Sequence, residues 1–332
     1  MSNPKLRIAF GEYDRTRVLA DGTVKIAGVE PEFYSNPIVT EVFEGMVRGE
    51  FDVAELGLSY FLRTIDLEES PFLAIPVFPN RCFRHSAIYV NVNSGIKKPE
   101  DLIGKRVGEF ALYGHDAGVW PKGILSDDYG VKPEQCSWVI GGLDWPLKPT
   151  TFVPQPHPAN VQVTNMPNGT DLGQMLEDGE IDALIAADLP KCILENSPKV
   201  AQLFPDYVAT ERAYYQRTGI YPIMHTVVVR KELAAEHPDL VRAVYQGFCE
   251  AENLVKKRYE KGMIFNNMNL MVPWFTNLLT EDRAVLGNDW WPAGLAANRK
   301  SVEAFLRYHY EQGLSKRHMT CEEIFVPYLL DS

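Results

Sequence analysis

Two histidines stand at matching places in the sequence. His85 opens the apolar run HSAIYVN (85–91), and His225 opens a second run, HTVVVRK (225–231). Runs of this kind are typical of β-strands. Histidine exchanges protons near neutral pH, because its reference pKa is about 6.5. If the two strands lie side by side, His85 and His225 form a pair that can carry out acid and base chemistry.

A third histidine lies where a helix is predicted to begin. His115 and Asp116 precede an apolar stretch, and the free N–H groups at a helix start favour anions. We therefore count His115 among the candidate binding residues. The remaining histidines, His157, His237, His309 and His318, lie in loops or polar helical contexts, where we expect them to be solvated.

Alternating strand-like and helix-like segments must position these residues. This alternation is the signature of βαβ units and of a mainly parallel sheet, so the predicted fold class is α/β. Strands are predicted at 6–10, 51–56, 72–78, 87–92, 106–109, 161–164, 181–186 and 225–230, and helices at 39–47, 239–258 and 299–312.

The chain has 332 residues, more than one hydrophobic core usually organises. We predict a discontinuous first domain, residues 1–92 with 223–332, and an inserted second domain, residues 93–222. The two histidine-led strands would then join the domains as a two-strand hinge. Ligands commonly bind in the cleft between such domains, and His85 and His225 would lie at its floor.

Bulk composition narrows the possible partners. The net charge of −11 gives no basic surface for nucleic acid or for an anionic membrane. The amino terminus lacks the features of a signal peptide and no apolar run is long enough to span a bilayer, so we expect a cytoplasmic protein. Five scattered cysteines without a CxxC pair are expected to be reduced. We also expect a homo-oligomer.

Several cofactor and nucleophile motifs are absent from the sequence. There is no G-x-G-x-x-G, no Walker motif and no G-x-S-x-G, which disfavours nucleotide-binding enzymes and serine hydrolases. There is also no HExxH. We expect no cofactor, although a metal held by residues from distant segments would leave no pattern and stays open.

Five stretches of the sequence together resemble the 4,5-dihydroxyphthalate decarboxylase family. They are GEYDRTR (11–17), DVAELGLSYF (52–61), PVFPNRCFRHSAIYVN (76–91), RTGIYPIMHTVVVRK (217–231) and WWPAGLAANR (290–299). The resemblance implies a type 2 periplasmic-binding-protein-like fold. It also implies non-oxidative decarboxylation of a hydroxylated aromatic acid, 4,5-dihydroxyphthalate to protocatechuate and CO2. Residues 111–118, 145–148 and 187–190 depart from the family pattern.

The implied reaction requires a cation for carboxylate, a base for a phenol and an acid for a ring carbon. His85 and His225 are our candidates for the proton transfers. Arginine pairs bidentately with carboxylate, and carboxylates can orient a histidine. The candidate substrate-binding residues within the family-like stretches are Arg15, Arg17, Arg81, Arg84, Arg299, Asp14 and Glu55.

Three alternative functions compete with a decarboxylase on the sequence alone. A solute-binding protein for an aromatic or small carboxylate would have the same fold. A pyrimidine-precursor synthase of this fold would carry a tight cysteine cluster, which the five dispersed cysteines do not form. A decarboxylase acting on a related dihydroxybenzoate-type acid fits the departures from the family pattern.

Overall fold

The structure is a computed structural model that describes residues 3–67, 69–144, 150–167, 169–265 and 270–332. The departure from the family pattern at 145–148 lies outside the described residues. Along these ranges, no helix has both the length and the apolar character needed to cross a bilayer.

Eleven strands in the described ranges form two sheets, which confirms the α/β class. Their order is β2-β1-β3-β11-β4 in the first sheet and β10-β5-β9-β6-β7-β8 in the second. The strands are β1 (Lys5–Gly11), β2 (Glu30–Asn36), β3 (Val53–Gly57), β4 (Phe72–Ile75), β5 (Ile88–Asn91), β6 (Arg106–Phe110), β7 (Ser137–Gly141), β8 (Gln162–Asn165), β9 (Ala183–Ile185), β10 (Val200–Gln202) and β11 (His225–Arg230).

Twelve α-helices lie in the same ranges and cover the sheets. They are α1 (Asp14–Ala20), α2 (Val39–Val47), α3 (Leu58–Ile65), α4 (Asp116–Tyr129), α5 (Leu172–Asp178), α6 (Lys191–Leu194), α7 (Tyr207–Thr218), α8 (Lys231–Glu236), α9 (Pro238–Ile264), α10 (Phe275–Leu286), α11 (Arg299–Glu311) and α12 (Cys321–Ile324). We call the first sheet with α1–α3 the first lobe, and the second sheet with α4–α7 the second lobe.

Both sheets contain parallel and antiparallel strand pairs. In the first sheet β1 is parallel to β2 and β3, whereas β11 runs antiparallel to β3 and β4. In the second sheet β6 is parallel to β7 and β9. Ligand sites in such sheets lie beyond the carboxyl ends of parallel strands. The loops after β1, β3 and β6 are therefore the places to look for a site.

The chain passes between the lobes twice, through two short antiparallel segments. Arg81 and Ile223 form an antiparallel bridge, and the Cys82 N–H donates to the Pro222 carbonyl over 3.0 Å. This crossover corrects the predicted hinge. β5 belongs to the second sheet and β11 to the first, so the two histidine-led segments do not pair.

The crossover also shifts the first boundary of the predicted domains. Because β5 lies in the second sheet, residues 88–91 do not belong with the first lobe, to which the sequence assigned them. The rest of the division stays a prediction. The carboxyl-terminal α11 crosses onto the second lobe, where Phe305 lies 5.7 Å from Trp120 between ring centroids. Gln312 also donates to the Val119 carbonyl at 2.8 Å.

Candidate active site

A buried glutamate and a buried histidine meet where β3 ends and β11 begins. Glu55 pairs with Val227 in the antiparallel register, and His225, two residues earlier, projects from the same face of the sheet. The His225 Nδ1 lies 2.6 Å from the Glu55 Oε1. The ring of Phe43 packs edge-on against the imidazole at 5.1 Å. The structure therefore brings together two of the predicted site residues.

Glu55 accepts two further hydrogen bonds from the end of β1. The Gly11 N–H donates to the Glu55 Oε2 at 2.8 Å, and the Tyr13 hydroxyl donates to Oε1 at 2.9 Å. Burial, followed by the charge of Glu55, raises the pKa of Tyr13 well above its ordinary value, so the phenol keeps its proton. With its carboxylate fixed by three donors, Glu55 holds the His225 ring in one orientation. In neutral imidazole, a proton on Nδ1 leaves Nε2 as an acceptor.

A second histidine–carboxylate pair lies in the second lobe. His115 is the N-cap residue of α4, as the sequence predicted, and its Nδ1 lies 3.4 Å from the Glu109 Oε1. His115 is only 5% exposed, and neither ring nitrogen has a hydrogen-bond partner among the described residues. Because Nδ1 faces Glu109, it is the Nε2, buried and without a partner among the described residues, that is available to a bound molecule.

Lys122 and Glu109 form a buried ion pair behind His115. The Lys122 Nζ lies 2.8 and 2.6 Å from the two carboxylate oxygens and stacks over the Tyr113 ring at 3.8 Å. Burial lowers the pKa of Lys122 to about 8, against the pull of Glu109. Burial alone would raise the pKa of Glu109, but Lys122 and His115 hold it below the ordinary value. The pair therefore supplies a fixed carboxylate beside His115.

Asp116 lies between the two histidine–carboxylate pairs. Its Oδ1 accepts the Ser59 N–H at 2.5 Å, and the charges of His225 and His115 both act on it. Burial raises the pKa of the Asp116 carboxyl above its ordinary value. The site is thus made by both lobes, with one histidine from each. Among the described residues, no group of three or more His, Cys, Asp and Glu side chains is placed to hold a metal ion.

The structure places His85 apart from this cluster. His85 lies in a single 3₁₀ turn before β5, and its ring packs at 5.2 Å against both Phe204 and Tyr214. Burial lowers the pKa of His85 to about 4. No hydrogen bond or ring contact joins it to His225 in the described ranges. The expected pairing of His85 with His225 is therefore not found, because β5 has already entered the second sheet.

The predicted arginines fall into two groups. Two, Arg17 and Arg299, lie on the surface, and the other three lie at or beside the crossover between the lobes. Arg17 is exposed on α1, and Arg299 forms surface ion pairs with Glu322 and Glu303. Neither lies at the site. Arg81 is buried at the crossover, where it donates to Asn298 and to the Pro292 carbonyl, both at 2.6 Å.

Arg15, with Asp14, lies beside the crossover. It donates to the Pro79 carbonyl at 2.6 Å and pairs with the adjacent Asp14 at 3.0 Å. Asp14 also accepts the Tyr259 hydroxyl. The Arg15 guanidinium stacks over the ring of Tyr13, with its Cζ 4.2 Å from the ring centroid, and Tyr13 in turn donates a hydrogen bond to Glu55. Arg15 therefore borders the site, whereas Asp14 contacts Arg15 and Tyr259 and, among the described residues, does not orient a histidine.

Arg84 is the predicted arginine best placed to receive an anion. It is 6% exposed, and its donors reach the Met224 sulfur and the Ala187 carbonyl, each at 3.2 Å. No carboxylate of the described residues lies within ion-pair distance. Met224 precedes His225 in the chain, so Arg84 lies at the crossover, near the start of β11.

Four site residues were missed by sequence reasoning: Tyr13, Ser59, Glu109 and Lys122. Two of them carried a signal, since Glu109 and Lys122 are charges inside the apolar runs RVGEF and VWPKGIL. A charge in such a run is buried and needs a partner. His309 was also mispredicted: it is 1% exposed and stacks on Phe305 at 6.1 Å.

Comparison with known proteins gives the family. No protein-family model matches the chain. A curated 4,5-dihydroxyphthalate decarboxylase of Comamonas testosteroni is 36% identical over 334 residues, covering 100% of this chain and 99% of that protein. A second, from Pseudomonas putida, is 37% identical over 218 residues, covering 65% of this chain and 83% of that protein.

Solved structures show the fold. The periplasmic aliphatic sulphonate binding protein SsuA of Escherichia coli has a TM-score of 0.56 at 16% identity, with 99% of each chain covered. A putative periplasmic sulfonate-binding protein of Methylobacillus flagellatus has a TM-score of 0.59 at 13% identity, covering 98% of this chain and 92% of that one. These similarities confirm the periplasmic-binding-protein-like fold. By its similarity along the whole length to the Comamonas protein, the chain belongs to the 4,5-dihydroxyphthalate decarboxylase family.

Proposed function

We propose that the protein is a carboxy-lyase that converts 4,5-dihydroxyphthalate, or a close analogue, to protocatechuate and CO2. Family membership supports the substrate class. The observation that carries the mechanism is the pair of buried histidines, one from each lobe, each with its Nδ1 facing a fixed carboxylate.

The substrate itself supplies the electron density for this reaction. Each carboxylate of 4,5-dihydroxyphthalate is para to a hydroxyl group, so loss of the phenolic proton pushes electrons towards the carbon that bears the carboxylate. Protonation of that ring carbon then gives a non-aromatic intermediate. The C–C bond breaks, its electron pair returns to the ring as CO2 leaves, and aromaticity is restored.

The two histidines divide the proton transfers. Glu55 holds the Nδ1 of His225, so the Nε2 of the neutral ring accepts the phenolic proton as the general base. His115, beside Glu109, donates the proton to the ring carbon. Glu109 offsets the charge of the His115 imidazolium before transfer, and Lys122 keeps Glu109 in place.

Arg84 binds a substrate carboxylate in this proposal. A buried guanidinium without an ion pair lacks a counter-charge, and a substrate carboxylate supplies one with charge-assisted hydrogen bonds. Three of its five N–H groups take no part in the bonds to Met224 and Ala187. Arg15, stacked on Tyr13, adds positive charge at the same edge of the site.

A substrate panel tests the proposal. Purified protein is incubated with 4,5-dihydroxyphthalate, with dihydroxybenzoates and with unsubstituted phthalate, while CO2 release and ring products are followed. Phthalate, which has no hydroxyl to deprotonate, should bind without turnover. His225→Gln should lower kcat for the true substrate by about 10²-fold. The exposed His237→Gln is the matched control and should keep the parent rate.

A solute-binding protein is the second candidate, favoured by the similarity to sulphonate-binding proteins. It predicts saturable binding of an aromatic acid by the same panel, with no CO2 released from any member. That result would overturn the decarboxylase proposal.

A further inference from the structure

The turn that carries His115 is held by groups from the other lobe. Ser59 and Arg63 lie on α3 of the first lobe, and both are at most 1% exposed. The Ser59 hydroxyl donates to the Gly114 carbonyl at 2.5 Å, and the Arg63 Nη2 donates to the carbonyls of Tyr113 and Gly114 at 2.8 and 3.1 Å. Every one of these bonds crosses from the first lobe to the second.

Two more contacts extend this interlobe set. The Ser59 N–H donates to the Asp116 carboxylate at 2.5 Å, and the Arg63 Nη1 donates to the Pro154 carbonyl at 2.8 Å. Arg63 has no ion pair among the described residues. Its pKa is lowered to about 10, and burial is the main cause. A guanidinium buried to satisfy carbonyls of another lobe fixes backbone geometry where it binds.

The turn is also held from within its own lobe: the His115 N–H donates to the Leu112 carbonyl at 3.2 Å, and the Phe110 ring packs edge-on against the imidazole at 5.9 Å. Gly114 has a φ of +76°, a left-handed conformation, and a Cβ there would lie 2.3 Å from Leu314. From within its own lobe, the Gly114 N–H donates to Glu109 at 2.9 Å. The carbonyls of Tyr113 and Gly114, immediately before His115, are occupied by Arg63 and Ser59. The two backbone carbonyls that immediately precede the imidazole are therefore held by contact between the lobes.

From these contacts we propose that Ser59 and Arg63 are positioning residues that place the His115 imidazole only when the lobes are closed. The proposal rests on the function proposed above for His115. Lobe closure, which encloses a ligand in this fold class, then also assembles the proton donor. An empty, open molecule would hold the base of the first lobe but lack the acid.

Charged groups around His115 come from three elements. They are Glu109 from β6, Asp116 and Lys122 from α4, and Arg63 from α3. Loss of Arg63 removes one positive charge from this set as well as the backbone bonds. A test must therefore separate lost position from lost charge.

The test compares pH–rate profiles of His115→Gln, Ser59→Ala, Arg63→Ala and the parent. We expect His115→Gln to remove one limb of the profile. Ser59→Ala, which changes no charge, should weaken the same limb and lower kcat about tenfold or more, with little change in KM. Arg63→Ala should do the same more strongly, and added guanidinium should restore part of kcat and of the limb.

Arg230→Lys is the matched control, because Arg230 also donates to backbone carbonyls, at Phe51 and Gly49, but within the first lobe. It should keep the parent profile. If Ser59→Ala and Arg63→Ala lose rate only in proportion to folded protein and keep both limbs, the two residues merely join the lobes and the inference is overturned. If Arg63→Ala does not fold, Ser59→Ala decides. If His115→Gln itself keeps both limbs, the proposed function of His115 fails instead.

Discussion

Arg84 is buried and has no ion pair among the described residues. Arg299 is bound to Glu322 at 2.7 Å, whereas buried Arg81, which also lacks an ion pair there, is held by Asn298 and by the Pro292 carbonyl, both at 2.6 Å. Arg84 contacts a sulfur and a carbonyl, which are neutral acceptors. Its burial without a carboxylate makes sense if an anion enters with the substrate.

Replacement of Arg84 should therefore weaken substrate binding. Arg84→Ala is expected to raise KM by roughly tenfold to a hundredfold, equivalent to the 1.5–3 kcal/mol of a charge-assisted hydrogen bond. Arg84→Lys should recover only part of this, because an ammonium cannot form two parallel bonds. Steady-state kinetics and equilibrium binding of phthalate measure both. An unchanged KM in Arg84→Ala would exclude this arginine from the carboxylate site.

The buried imidazole of His85 should lower the free energy of unfolding as the pH falls below neutral. Burial lowers its pKa from 6.5 to about 4 in the folded protein, so unfolding takes up a proton between these values. The stabilisation by neutral, buried His85 is complete above pH 6.5. It is lost as the pH falls towards 4, which lowers the free energy of unfolding by about 3 kcal/mol in all. His85→Phe should flatten this part of the curve of unfolding free energy against pH. An acid limb as steep as that of the parent would contradict the assignment.

Helix α4 depends on a glycine for its approach to Glu109. A Cβ on Gly118 would lie 1.8 Å from the Glu109 Oε1 and 2.9 Å from the His115 Nδ1. Gly118→Ala should therefore displace the carboxylate and lower kcat by roughly 10²-fold, as misplacement of about 1 Å does elsewhere. The helix itself favours alanine. Gly262→Ala in α9 is the control, since its closest neighbour, a flexible leucine side chain, lies 3.1 Å away. Equal rates in both variants would contradict this role.

The elements that sequence predicts best are those with a strong local pattern. β11 was predicted at 225–230 with its observed bounds, because HTVVVR contains four consecutive β-branched residues, three of them apolar valines. β2 was missed, since it is an edge strand with an alternating, half-exposed pattern that begins Glu30-Pro31.

The site was predicted only in part for a related reason. Glu55 and His225 lie in strands whose types were readable, so their contact follows from register. The pairing of His85 failed because sheet membership, which a strand's own sequence does not encode, separates β5 from β11. Ser59 and Arg63 bind backbone carbonyls 55 and 50 residues away along the chain, and bonds over such separations leave no pattern in the local sequence.

The molecule as a whole should unfold with its lobes coupled through α11. Phe305 is fully buried and lies 5.7 Å from Trp120 of the second lobe, between ring centroids. Phe305→Ala should lower the free energy of unfolding by about 3–5 kcal/mol. Because Phe305 of α11 packs on Trp120 of α4, and Asn298, immediately before α11, binds Arg81 at the crossover, far-UV dichroism and tryptophan fluorescence should still report one shared transition. The exposed Phe265→Ala is the control. Two separated transitions in the parent would show that the lobes unfold independently.

Assembly and location are also properties of the whole molecule. The homo-oligomer and the cytoplasmic location stay predictions. Sedimentation of the purified protein and fractionation of the producing cells check them.

The bridge between Arg81 and Ile223 has a consequence for how the family can diversify. Residues that face each other in an antiparallel pair have Cα atoms only about 5 Å apart, so the two ends of the intervening stretch, 82–222, nearly coincide in space. Residues 82–222 could therefore be replaced by the corresponding stretch of a relative while the path of the remaining chain stays the same. A swap of this kind would bring a new proton donor and a new wall for the ligand while Glu55 and His225 stay in place. New substrate preferences can therefore arise by exchange of one contiguous piece of gene.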